Sequence, residues 1–149
     1  MKITAIETMK LFVPWKASLA DPMRRWRAMT GTTPEEEDAY VVIRMMTDEG
    51  LVGLGEGGRS LSDAESEAQR FIGKNPMELA IYDLQPPFLH ACVDLVAQAL
   101  GVPACRVLGG CYRDQVSVAY WSPYLPPEET GHHAEEGAAL GFTLHKIKA

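Results

Sequence analysis

The chain has 149 residues, 46% of them apolar and 23% charged, an ordinary globular balance with length for one cored domain and the start of another. Its net charge of −6 argues against nucleic acid or an anionic membrane surface as partner. No apolar run is long enough to span a bilayer, Met1-Lys2-Ile3-Thr4 opens no signal-peptide core, and the three cysteines, Cys92, Cys105 and Cys111, include no C-x-x-C pair, which predicts reduced thiols in a cytoplasm.

Residues 2–13 alternate, with Ile3, Ala5, Met9, Leu11 and Val13 on one face and Lys2, Thr4, Thr8 and Lys10 on the other. That pattern predicts a half-buried strand, ended by Pro14. Residues 15–38 show no regular period, which predicts a long loop of the kind that is functional or disordered. It holds Trp15, Lys16, Arg24, Arg25, Trp26 and Arg27, then Gly31-Thr32-Thr33-Pro34 and an acidic run from Glu35 to Asp38. A guanidinium fork matches a carboxylate, so the segment reads either as a grip on a small anionic substrate or as a surface loop with solvated charges.

Residues 39–47 form a second strand, apolar enough to be central. Asp48-Glu49-Gly50 makes a hairpin connection to a third strand at Leu51–Glu56, with glycine where φ must be positive. Gly53, Gly55, Gly57 and Gly58 crowd the end of that strand, which predicts close backbone approach. They are no dinucleotide fingerprint, because they close a hairpin and not a βα turn.

Ser62-Asp63-Ala64-Glu65 reads as a capping box opening a helix with Ala64, Ala68, Phe71 and Ile72 on its apolar stripe. Asn75-Pro76-Met77-Glu78 predicts a second, brief helix before Pro86-Pro87. Leu89, Cys92, Val93, Val96 and Leu100 recur at helical spacing and predict a helix with one buried face, stopped by Gly101 and Pro103. Ala104–Leu108 is one more short turn, closed by Gly109-Gly110. Cys92 and Cys105 read as core residues rather than nucleophiles.

Arg113-Asp114 reads as a boundary. Val116–Trp121 is a new strand, and Pro126-Pro127-Glu128-Glu129 opens a helix to about Leu140, weakened by Gly131 and Gly137. A strand, a helix and a strand in succession is a βαβ unit with parallel strands. His132 and Glu136 stand one turn apart on its helix, as metal-ligand spacing or as part of a solvated face. The unit ends in Phe142 to Lys148, where a period of two puts Lys146 and Lys148 on one face. Two ammonium groups held side by side repel, so each loses its proton more readily and can serve as a base near neutral pH. The same pair also reads as a guard that blunts an exposed strand edge.

A three-stranded meander, a run of helices and a βαβ unit ending in Lys-x-Lys together resemble the enolase superfamily, most closely its mandelate racemase and muconate lactonizing enzyme group. The resemblance rests on Thr47-Asp48-Glu49-Gly50-Leu51-Val52-Gly53-Leu54-Gly55-Glu56, on Leu100-Gly101-Val102-Pro103 with Leu108-Gly109-Gly110, and on Gly141-Phe142 leading into Lys146-Ile147-Lys148. It implies an α+β chain. Residues 1–114 would form the family's N-terminal lid domain, and residues 115–149 the first βαβ unit of a (β/α)8 barrel, whose catalytic groups sit at the C-terminal strand ends. It further implies that Lys148 abstracts a proton α to a carboxylate, with Lys146 beside it lowering its pKa and helping to hold the substrate carboxylate. The segment 15–38, with Trp15, Arg24 and Arg25, would be the substrate-selecting lid loop, and the turn around Gly57 the second lid contact. The reaction would be an acid-sugar dehydration or a racemization, and the family's cofactor is Mg²⁺, which stabilises the enediolate charge.

A whole (β/α)8 barrel takes roughly 250 residues, and the family's acidic metal ligands come from later barrel strands. None can be assigned on this chain. The expectation is therefore that residues 1–149 alone bind no metal and turn nothing over, and that the uncovered strands of residues 116–149 drive self-association into a homo-oligomer. The alternative is a non-enzymatic, lid-like α+β domain used for self-association or anion binding.

Overall fold

A computed structural model describes residues 1–31, 39–57 and 60–148. The acidic run at Glu35–Asp38 and Gly58 lie outside these. Two compact units emerge, one of Met1–Val13 with Asp38–Tyr112 and one of Pro14–Glu37 with Arg113–Ala149.

In the first unit, β1 (Ile3–Phe12), β2 (Ala39–Thr47) and β3 (Val52–Glu56) form an antiparallel sheet in the order β1-β2-β3. The central strand buries Val41, Ile43 and Met45 on one face, and α3 (Phe88–Leu100) covers that face with Phe88, Ala91, Cys92 and Leu95. Gly53 and Gly55 explain how closely the helix lies. A Cβ at Gly53 would run into the Ala91 carbonyl oxygen, and one at Gly55 into the Pro87 carbonyl oxygen. The backbone approach expected from the glycines is therefore the approach of α3, which any side chain there would push away.

The face expected for β1 needs correction. Its register against β2 shifts between Ile3 and Ala5, where one extra residue makes a bulge. The bulge inverts the alternation beyond it. Ile6 and Thr8 then pair with the buried Met45 and Ile43, while Met9 and Leu11 pair with Val42 and Tyr40 on the opposite face.

Helix α2 runs Leu61–Ala68, and its cap is Ser60, whose hydroxyl accepts the Asp63 N–H at 3.2 Å. The capping box expected at Ser62 is thus displaced by two residues, since Ser62 already has helical geometry. Past α2, Phe71 stacks on Phe88 with centroids 4.6 Å apart. The helix expected at Asn75 is a single 3-10 turn, Pro76–Glu78, followed by a second at Ile81–Asp83. Asn75 does cap the first, accepting the Met77 N–H at 3.1 Å. Helix α3 ends on Gly101 in the left-handed region at φ 65°, and α4 (Ala104–Val107) follows.

In the second unit, the segment expected to be a loop contains a helix, α1 (Ala17–Thr30). Its stripe is Leu19, Pro22, Met23, Trp26 and Arg27, of which Pro22 and Arg27 are buried. Pro22 masked the period, because proline removes an interior N–H and reads as a breaker. Gly31, at φ 71°, caps the helix end. Strand β4 occupies Tyr120–Tyr124, later than the expected 116–121. It leads through α5 (Pro127–Ala139) to β5 (His145–Lys148), and β4 and β5 pair in parallel. Gly137 makes room for β4: a Cβ there would stand 2.7 Å from Tyr120 Cδ1.

Candidate functional site

The lysine pair is carried by β5. Lys146 pairs across the sheet with Trp121 and Lys148 with Tyr124. Both lysines are exposed. The register shifts between Ser122 and Tyr124, so Pro123 is the extra residue of a bulge in β4. Proline suits that place because the bulged residue gives no ladder N–H. The bulge has a direct consequence for the site. Trp121 and Tyr124, three apart in sequence, both stand level with lysines on the lysine face.

The opposite face is fixed by polar contacts. Ser122 is fully buried, and its hydroxyl lies 2.7 Å from His145 Nε2. His145 Nδ1 is buried and has no hydrogen-bond partner among the described residues, and the same holds for His133 Nδ1. Tyr120 packs against His145 with ring centroids 5.6 Å apart. A hydrogen bond to Glu136, with burial assisting, raises the Tyr120 phenol above its ordinary pKa. Glu136 is therefore tied to a tyrosine, and His132 sits 3.6 Å from Glu135 on an exposed surface. The metal-ligand reading of His132 with Glu136 thus has no third partner: among the described residues no three His, Cys, Asp or Glu side chains are grouped to hold a metal ion. The described residues offer no such group for Mg²⁺.

Helix α1 carries the arginines. Arg25 forks onto Glu129 of α5, with Nη1 donating to Oε1 at 3.1 Å and Nη2 to Oε2 at 2.8 Å. This pairing raises the guanidinium further and holds the Glu129 carboxyl below its usual range. Arg24 donates to Asp21 at 2.6 Å. Both arginines are exposed, and each already faces a carboxylate of its own chain. The Arg27 guanidinium lies 3.8 Å from the Trp15 ring centre and is only 2% exposed, so it serves packing while Trp15 forms its lid. Gly57 belongs to the other unit. Its N–H donates to the Val41 carbonyl at 3.0 Å, and a Cβ there would meet Pro86 Cβ at 2.5 Å.

The structure thus brings Lys146, Lys148, Trp15, Arg24 and Arg25 into one unit and leaves Gly57 in another. Sequence reasoning missed Trp121, Tyr124, Ser122 and His145. The available signal was Pro123: a proline inside an apolar strand marks a bulge, and a bulge turns a spacing of three into a shared face.

No family model matches the chain. It is 32% identical to the hydrophobic dipeptide epimerase of Enterococcus faecalis, over 79% of this chain and 39% of that protein. It is 28% identical to the cis-3-hydroxy-L-proline dehydratase of Roseibium aggregatum, over 99% of this chain and 45% of that protein. Among solved structures, the L-Ala-D/L-Glu epimerase of Bacillus subtilis superposes with a TM-score of 0.72 at 28% identity, covering 100% of this chain and 45% of its own. Other matched structures carry Mg²⁺. The chain spans less than half the length of the relatives it matches. Relatives that racemize, epimerize or dehydrate, and neighbours that share the antiparallel meander followed by helices, agree on one conclusion: this chain carries the N-terminal part of the enolase-superfamily architecture, of the mandelate racemase and muconate lactonizing enzyme type.

Proposed function

We propose that the chain supplies the lysine pair of a racemase, epimerase or dehydratase that removes a proton α to a carboxylate. The carrying observation is the register of β5, which sets Lys146 and Lys148 on one exposed face at the end of a parallel strand. In this reading the Lys148 amine takes the α-proton, and the electron pair left behind moves into the carboxylate as an enediolate. The Lys146 ammonium lies beside it and attracts the carboxylate oxygens, where the charge grows. Return of a proton to the other face gives the epimer; loss of a β-hydroxyl gives the dehydrated acid. Residues 1–114 act as the lid domain and residues 115–149 as the first βαβ unit of a barrel. Trp15, Arg24 and Arg25 contribute from the segment that shares a unit with the lysines, the arginines exchanging Asp21 and Glu129 for substrate. The Mg²⁺ of the neighbours would be held by residues other than those described here, in a cytoplasmic homo-oligomer.

The test is α-proton exchange. The protein isolated intact from its source is incubated in D₂O with Mg²⁺ and a panel of dipeptides, N-acylated amino acids and sugar acids, and deuterium at the α-carbon is read by NMR. Exchange that disappears in Lys148→Met supports the reading, and exchange that survives the substitution refutes it. The 149-residue chain alone is expected to exchange nothing.

A second reading, a self-associating domain without catalysis, is favoured by one observation. Val116 and Val118, ahead of β4, are each 68% exposed, and Leu144 and Ile147, before and within β5, 56% and 50%, exposed apolar side chains of the kind that another copy covers. Light scattering that shows a monomer at every concentration would remove it.

A further inference from the structure

The bulge at Pro123 does more than bend β4. In an unbroken strand the residue level with Lys148 would be Pro123 itself, and Tyr124 would point to the opposite face. The extra residue instead places Tyr124 beside Lys148 and leaves Trp121 beside Lys146. Each lysine therefore has an aromatic side chain as its direct cross-strand neighbour, and in a parallel pair such neighbours share a face. The arrangement is anchored from behind. Pro123 is fully buried, and Ser122 is buried and hydrogen-bonded to His145, the residue just before Lys146. The backbone that carries the two aromatic residues is thus tied to the strand that carries the lysines.

We infer that Trp121 and Tyr124 are specificity-determining residues that select, for the lysine pair, a carboxylate whose neighbouring group is flat or apolar. This inference rests on the proposed carboxylate role of Lys146 and Lys148 and narrows it. A ring or alkyl group next to the carboxylate gains contact with the indole and phenol faces. The hydroxyls of a sugar acid would lose water against those faces and find no partner there. The Tyr124 hydroxyl, at the strand end, offers one polar contact beyond the apolar surface.

The experiment titrates the chain, labelled with ¹⁵N, with phenylacetate, acetate and gluconate, and follows the amides of β4 and β5. Phenylacetate is expected to bind roughly fivefold more tightly than acetate or gluconate, the size of a modest aromatic contact. Trp121→Ala and Tyr124→Ala should each bring phenylacetate affinity towards that of acetate. Trp121→Phe should keep most of the preference, which separates loss of the ring from loss of the fold. Equal binding of the three acids by the unaltered chain, a preference that survives both alanine variants, or no phenylacetate binding at all overturns the inference. If instead the preference is present but Lys146→Met and Lys148→Met leave all three acids bound as before, the lysine reading fails and the inference that rests on it falls with it.

Discussion

The hydrogen bond between Ser122 and His145 should be worth more than its single contact suggests. Ser122 is fully buried, its hydroxyl is 2.7 Å from His145 Nε2, and His145 Nδ1 already lacks a partner among the described residues. Ser122→Ala therefore leaves a half-buried imidazole with no hydrogen bond at either nitrogen among the described residues. An orphaned buried polar group costs about 1–3 kcal/mol, and the lower half of that range applies here because the imidazole is only half-buried. His145→Phe keeps a ring beside Tyr120, 5.6 Å away, but orphans the Ser122 hydroxyl instead. The double variant removes both polar groups, and replacing both partners by apolar groups is nearly neutral. The cycle should therefore close well short of the sum, with a coupling of at least about 1 kcal/mol. Tryptophan emission is the natural probe. The sequence has three tryptophans, Trp15, Trp26 and Trp121, and all fall in the unit formed by Pro14–Glu37 and Arg113–Ala149. Urea melts followed at that emission report this unit alone. A Ser122→Ala variant within about 0.5 kcal/mol of the parent, or a cycle in which the single costs simply add, would refute the reasoning.

Gly53→Ala and Gly55→Ala should each destabilise the other unit by about 1–3 kcal/mol, the usual cost of overpacking, because the new methyl meets a backbone carbonyl of Ala91 or Pro87. Far-UV circular dichroism melts measure this, and an unchanged midpoint for both would show that α3 lies farther from β3. Glu129 gives a pH test. Its carboxyl is held low by the hydrogen bond from Arg25, so the folded state binds its proton less readily than the unfolded chain. That contribution is present above the ordinary carboxylate range and is lost as pH falls through the lowered value. The midpoint read by tryptophan emission should drop on acidification more steeply in the parent than in Glu129→Gln, and parallel slopes would count against it. Burial pushes the Cys92 thiol up to about 11, so a thiolate-seeking disulfide reagent at about pH 8 should label the exposed Cys111 in the native chain and reach Cys92 only after denaturation.

Much of the first unit was legible in the sequence, and the reason is local. The hairpin at Asp48-Glu49-Gly50, the apolar run of β2 and the apolar stripe of α3 each state their structure within a short window, and the observed elements follow. The paired glycines of β3 were readable as a close approach, though not as the approach of α3, because a missing Cβ says that something comes near and not what. The Lys146/Lys148 pair was readable for the same local reason, a period of two in a short strand.

Register and partners were not legible. The face of β1 inverts at a bulge near Thr4, and one unpaired residue there outweighs the simple alternation from Ile3 to Val13. Helix α1 was hidden by Pro22, whose missing N–H costs an interior hydrogen bond; the stripe from Leu19 to Arg27 nevertheless packs, burying Arg27 under Trp15. The sequence by itself determined that two lysines would share a strand face, because side-chain alternation along a strand is a property of the backbone. Only the tertiary structure decided that Trp121 and Tyr124 share that face, and that Ser122 meets His145 behind it, because a cross-strand register is set by how two distant segments pair and by where one of them carries an extra residue.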